Sequence, residues 1–160
     1  MRRYAAETTV SSGKSRAEIE DTLMRYGATG FLNGVTADRA IIAFEAKGRR
    51  IKFILPLPDR SAREFTHTRH ENNWAQQQLS SEKAAERYEQ GVRQRWRALA
   101  LCIKAKLEAV ESGIETFEEA FMAHIVLPNG QTMAEHALPL IADSYRDNKM
   151  PPLLGHDGTP

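Results

Sequence analysis

The stretch Tyr88-Glu89-Gln90-Gly91-Val92-Arg93-Gln94-Arg95-Trp96-Arg97-Ala98-Leu99-Ala100-Leu101-Cys102-Ile103 sets the architecture. Tyr88, Val92, Trp96, Leu99 and Ile103, continued by Leu107, Val110 and Ile114, recur at steps of 4, 4, 3, 4, 4, 3 and 4. Such steps put every one of these side chains on one face of an α-helix. The spacing predicts a helix over 81–112, roughly 48 Å long if unbroken. Gly91 is a place for it to bend, and Ser112-Gly113 is its stop. Leu101 and Cys102 widen the apolar surface, so the helix reads as the spine of the core, with Cys102 as a small core residue.

Upstream of this helix the periodicity changes from helical to alternating. Residues 29–36, 40–46 and 50–57 are strand-like, with turns at Ala37-Asp38 and Lys47-Gly48-Arg49. In the third run Ile51, Phe53 and Leu55 alternate with Arg50, Lys52 and Ile54, so one face looks to the core and the other is partly basic. Pro56 and Pro58 end it. Further upstream, Ser15-Arg16-Ala17-Glu18 has the pattern of a capping box opening a helix over 15–26 that Gly27 ends. Thr8-Thr9-Val10 is the strand-like part of an extended lead-in that Ser11-Ser12-Gly13 breaks.

Residues 58–80 are polar and irregular and read as a long loop. Downstream, Thr116-Phe117-Glu118-Glu119 and Thr132-Met133-Ala134-Glu135 are two more capping boxes. They open a short helix and a second one reaching about Tyr145, in which Pro139 predicts a kink or early break. Ile125-Val126-Leu127 between them is extended, and Pro128-Asn129-Gly130 is a tight turn. The fold class that follows is α+β. A three- or four-stranded antiparallel sheet packs on one long helix, with a helical C-terminal part, in one domain over 1–154 and a frayed tail at 155–160.

The chain has 160 residues, 41% apolar and 27% charged, which suits one globular domain and excludes collagen-like or disordered classes. Its single cysteine excludes an internal disulfide or a cysteine metal cage. No apolar run approaches the roughly 18 residues of a membrane span, and residues 1–10 lack a signal peptide's apolar stretch. A cytoplasmic protein without membrane contact is expected.

The net charge of +1 hides strong segregation. Residues 47–70 hold seven bases against two acids, net +5, and residues 87–106 hold six against one, again +5. Residues 107–147 hold eight acids against one base, net −7. This asymmetry predicts either a face for a polyanion or two parts of the molecule that attract each other. For a polyanion, Arg93, Arg97 and Lys104 share a helix face, and Arg50 and Lys52 extend the patch from the third strand. Arg69 and Trp74, with Arg60 and Arg63 in the same loop, are further candidates, since an aromatic beside arginines stacks an unpaired base. Trp96, on the core stripe, is not counted as such a platform.

No phosphate loop, dinucleotide fingerprint, nucleophile elbow or zinc-finger spacing occurs. The balance favours a non-enzymatic protein with no catalytic residues, no metal and no cofactor. The leading expectation is a nucleic-acid-binding accessory protein, whose long helix could pair with its copy in a homodimer. One alternative is a protein that binds and inhibits or redirects a host protein through Glu108, Glu111, Glu115, Glu118 and Glu119. Another is a metal-dependent nuclease using His67, His70 and Glu71. His124 and His136 read as structural histidines, and Glu45 as a partner for an arginine.

The order helix, three antiparallel strands, helix resembles the double-stranded-RNA-binding domain, and also the strand-strand-strand-helix core of single-strand annealing proteins. The loop 58–80 departs from the first pattern, as does the lack of that family's basic cluster at residue 81. At the level of words, Ile54-Leu55-Pro56-Leu57-Pro58-Asp59-Arg60, Arg93 to Leu101, Phe117-Glu118-Glu119 and His124-Ile125-Val126-Leu127-Pro128 resemble a group of small proteins encoded by tailed phages and prophages. That resemblance covers residues 15–154. It implies a bacterial or phage cytoplasmic setting and the status of a small accessory protein, and no mechanism; service in replication or recombination belongs to the leading nucleic-acid-binding expectation.

Overall fold

The computed structural model describes residue 5, residues 7–68, residues 76–150 and residue 152. The described residues form an α+β fold with a three-stranded antiparallel sheet in the order β1-β2-β3. The strands are β1 (Gly30–Val35), β2 (Arg39–Ala46) and β3 (Arg49–Pro56), and α1 (Ser12–Arg25) precedes them. After them come α2 (Arg63–Thr66), the long α3 (Ser81–Glu111), α4 (Phe117–Phe121) and α5 (Met133–Asp147).

The sheet pairs as its alternation requires. Phe31, Phe44 and Ile51 lie opposite one another on one face, as do Asn33, Ile42 and Phe53. Lys47 and Gly48 both have positive φ, the two-residue turn that suits the right-handed twist of a hairpin. Ile42, Phe44, Ile51 and Phe53 are buried in one core with Trp96, Leu99, Ile103 and Leu107 of α3 and with Ile19 and Leu23 of α1. Glu18 of α1 pairs with Arg97, and Glu108 pushes up the pKa of Tyr26, just past its end, so α1 and α3 run side by side in the same direction. Two helices therefore cover one face of the sheet.

α1 begins three residues earlier than the Ser15 capping box predicts. Ser11 is the cap, its hydroxyl accepting from the Lys14 amide at 3.1 Å. Ser15 is instead fully buried, and its hydroxyl has no partner among the described residues. Glu18, the other half of the expected box, reaches α3. The helix ends at Gly27, whose φ of 85° allows the amides of Gly27 and Ala28 to bond Met24 and Leu23. Thr8, Thr9 and Val10 form no strand.

α3 runs unbroken for 31 residues, roughly 46 Å. Gly91 does not break it. A Cβ at this position would lie 2.9 Å from Cε1 of Phe65, so glycine is there to let the buried Phe65 ring approach the helix backbone. The stripe ends at Val110. Ile114 lies beyond the Gly113 stop and is 76% exposed, and Cys102 is exposed rather than in the core.

The loop 58–80 carries more structure than its polarity predicts. It contains α2 and a bridge between His67 and Gln78, closed by Arg87 donating to the His67 carbonyl at 2.7 Å. Both later capping boxes form. After α4, a 3₁₀ turn at Met122–His124 leads to Ile125, which bridges to Ile51 and covers part of the β3 edge. α5 continues through Pro139 to Asp147 without the expected early break. None of its residues is buried, and Leu138, Ile141 and Tyr145 are exposed. The expected frayed tail at 155–160 lies outside the described residues. Among the described residues, no helix is long and apolar enough to cross a membrane.

Candidate nucleic-acid interface

Among the described residues, Arg50 and Lys52 of the first basic stretch lie apart from the bases of α3. Arg50 and Lys52 alternate with the buried Ile51 and Phe53, so they stand on the sheet face turned away from α3. Arg50 lies 3.8 Å from Glu45, its cross-strand neighbour. Lys52 donates to Glu135 at 3.1 Å and to the Gly130 carbonyl at 3.4 Å. Arg49, beside them, lies 3.6 Å from Glu118. The acidic C-terminal half thus meets the basic third strand through Arg49–Glu118 and Lys52–Glu135. These two pairs are the attraction between parts of one molecule that the charge segregation allows.

Most of the bases on α3 are also engaged. Arg95 donates to the Pro56 carbonyl at 2.9 Å, tying α3 to the end of β3. Lys106 donates to the Ala120 carbonyl at 2.6 Å and so fixes α4. Arg97 is ion-paired with Glu18. Lys83, Arg93 and Lys104 remain, with no ion pair to any described carboxylate. Glu89, one helical turn before Arg93, does not pair with it. Arg69 and Trp74 lie outside the described residues.

Arg93 faces a cleft of about 470 Å³ where three parts of the chain meet. Ser11, Ser12 and Arg16 come from the start of α1, Val35, Thr36 and Ala37 from the β1–β2 turn, and Tyr88, Glu89, Val92, Arg93 and Trp96 from α3. Leu57 completes the lining. The guanidinium of Arg16 lies over the Trp96 ring, 5.4 Å from its centre, and that of Arg60 lies over Tyr88 at 5.5 Å. Neither is paired with a described carboxylate. Stacking on a ring orients a guanidinium without consuming its N–H donors or cancelling its charge. The Nε of Arg93 is closed off from solvent and has no acceptor among the described residues.

The turn that forms one wall is held in shape. The Thr36 hydroxyl donates to Asp38 at 2.7 Å, and the Thr36 amide bonds the Arg39 carbonyl at 2.8 Å. The Thr36 bond holds the Asp38 carboxyl below the usual carboxylate range. The first-turn amides of α1 add positive potential on the opposite wall. Trp96, 2% exposed, belongs to the core as its place on the stripe requires. With Arg16 over its ring, it presents no free stacking face.

Arg93 stands out in the sequence for its helix face and Arg60 only as one of several loop arginines, whereas Arg16 does not stand out at all. Arg16 sits within a stretch of mixed charge and Arg60 within an irregular, polar one, so only the packing of α1 and of the segment after β3 on α3 brings them together. The alternative metal cluster cannot be assembled from the described residues. His67 Nδ1 lies 2.9 Å from the Thr66 hydroxyl, no described group of three His, Cys, Asp or Glu has metal-binding geometry, and His70 and Glu71 lie outside the described residues. His124 stacks on Phe53 with ring centres 3.9 Å apart, and burial, then Lys106, pushes its pKa down. It is structural. Of the acidic residues, Glu119 accepts from both the amide and the hydroxyl of Thr116, and Glu108 pushes up the pKa of Tyr26.

Compared with family models, curated proteins and solved structures, the chain matches none.

Proposed function

We propose that this protein binds nucleic acid, without catalysing a reaction on it, through the cleft between α1, the β1–β2 turn and α3. The observation that carries the reading is a concave surface with Arg16 and Arg93 in its lining and Arg60 over Tyr88 beside them, none of the three paired to a described carboxylate. Phosphate oxygens are the acceptors such donors suit best, because a guanidinium holds them through two parallel bonds. Lys104, further along α3, adds charge outside the cleft. Arg50 and Lys52 belong to the sheet and its C-terminal cover in this reading, and Arg97 holds α1 to α3. The setting, that of a small phage accessory protein, belongs to the proposal and rests on the sequence resemblance alone, and a role in replication or recombination is the use that nucleic-acid binding would serve there.

The test is fluorescence anisotropy with labelled oligonucleotides at low salt, comparing the wild type with Arg93→Ala. Binding that weakens about tenfold in the variant, a loss of about 1.4 kcal/mol, is the expected result. No binding of single or double strands, or equal binding by the variant, overturns the reading.

A further inference from the structure

The cleft mixes two kinds of wall. Arg16 and Arg93 supply cationic donors, and Val35, Leu57 and Val92 supply an apolar surface, with Val35 52% exposed. Contacts to the backbone of a duplex use the charges only, because the bases are stacked inside. An exposed apolar wall beside the arginines is used only when something apolar enters with the phosphate, as an unstacked base does. The volume, about 470 Å³, lies in the range of sites that enclose one small ligand. A duplex, being convex, reaches the rim and not the interior.

The charge arrangement is also suited to one phosphate rather than a row of them. Glu89 is the one carboxylate in the lining among the described residues. It repels a second phosphate at its side of the cleft and accepts hydrogen bonds from the amino groups that bases carry. Arg93 has a buried Nε without an acceptor, and leaving such a donor unsatisfied is costly.

We infer that the cleft takes one unpaired nucleotide, its phosphate at Arg16 and Arg93 and its base against the apolar wall, so that the protein prefers single strands to duplex. This rests on the nucleic-acid reading above and narrows it to one substrate class. The test compares the affinity of a twelve-residue thymidine strand with that of a twelve-base-pair duplex at one low salt concentration. The wild type, Val35→Asp and Arg16→Gln are measured, with thermal unfolding run on each. The expected result is a preference of tenfold or more for the strand in the wild type, falling toward one in both variants. Arg16→Gln, a conservative change on a helix surface, keeps the test open if Val35→Asp unfolds. Equal or tighter binding of the duplex by the wild type overturns this inference and leaves the nucleic-acid reading standing. So does a preference unchanged in both variants. Binding of neither form overturns both.

Discussion

Gly91 and Phe65 meet so closely that a single methyl group between them would lie 2.9 Å from the phenyl ring. Phe65 is buried and its ring packs edge-on against Tyr88, with centres 5.8 Å apart. Tyr88 in turn carries Arg60. A close approach in the core is therefore two steps from the cleft. Gly91→Ala is expected to destabilise the protein by about 1–3 kcal/mol, the usual cost of overpacking. Reducing the ring in Gly91→Ala/Phe65→Leu is expected to return part of that loss. Chemical denaturation of the two variants and of Phe65→Leu checks this, and additive effects would argue against the close approach.

Two serines four residues apart at the start of α1 have opposite roles. Ser11→Ala removes the hydroxyl that caps the helix and is expected to cost about 1 kcal/mol. Ser15→Ala removes a buried hydroxyl without a described partner, and is expected to be neutral or slightly stabilising. The reverse order of the two in urea unfolding would restore Ser15 as the cap.

Arg97 and Arg93 are one helical turn apart and differ in what holds them. Arg97→Ala breaks a partly exposed ion pair with Glu18 and is expected to lower stability by about 1 kcal/mol at most. Its effect on oligonucleotide affinity is expected to stay within about twofold, against about tenfold for Arg93→Ala. A larger affinity loss at Arg97 would show that binding pulls it away from Glu18.

The stacked, half-buried His124 predicts a dependence on pH. Its pKa is pushed down in the folded protein by burial and then by Lys106, below the value of about 6.5 it has when unfolded. The unfolded chain therefore takes up the proton more readily. The contribution of His124 is complete above about pH 6.5 and is lost as pH falls through its folded pKa. Replacing it in His124→Phe is expected to flatten the decline of melting temperature between about pH 7 and pH 5. An unchanged decline would place its origin elsewhere.

Elements are legible in the sequence where local chemistry and tertiary contacts agree. The 4-3 spacing from Tyr88 to Val110 marks the long helix, the alternation of Ile51, Phe53 and Leu55 marks β3, and Thr116 and Thr132 cap as their patterns require. Local patterns mislead where a residue serves a partner far along the chain. Gly91 looks like a bend until Phe65 is placed against it. Ser15 and Glu18 look like a local box until α3 is placed beside them, when one becomes buried and the other pairs with Arg97. The interface shows the same limit. Net charge identifies bases, yet a count along the chain cannot tell which are already held by Glu135, Glu118 or a backbone carbonyl. Arg16 becomes a candidate, and Arg60 is singled out from the other loop arginines, only because each lies on a ring rather than against a described carboxylate.

Nucleic-acid binding at the cleft requires that Arg16, Arg60 and Arg93 exchange their counterions for phosphates, while Arg50 and Lys52 stay with Glu45 and Glu135. The dependence of oligonucleotide affinity on salt concentration, plotted as log K against log salt, reads this exchange. Replacing all three arginines by glutamine is expected to flatten the slope by about one unit for each phosphate no longer neutralised. Arg50→Gln with Lys52→Gln is expected to leave the slope as in the wild type. A slope unchanged by the triple substitution, or flattened equally by the pair on β3, would refute the assignment of binding to the cleft.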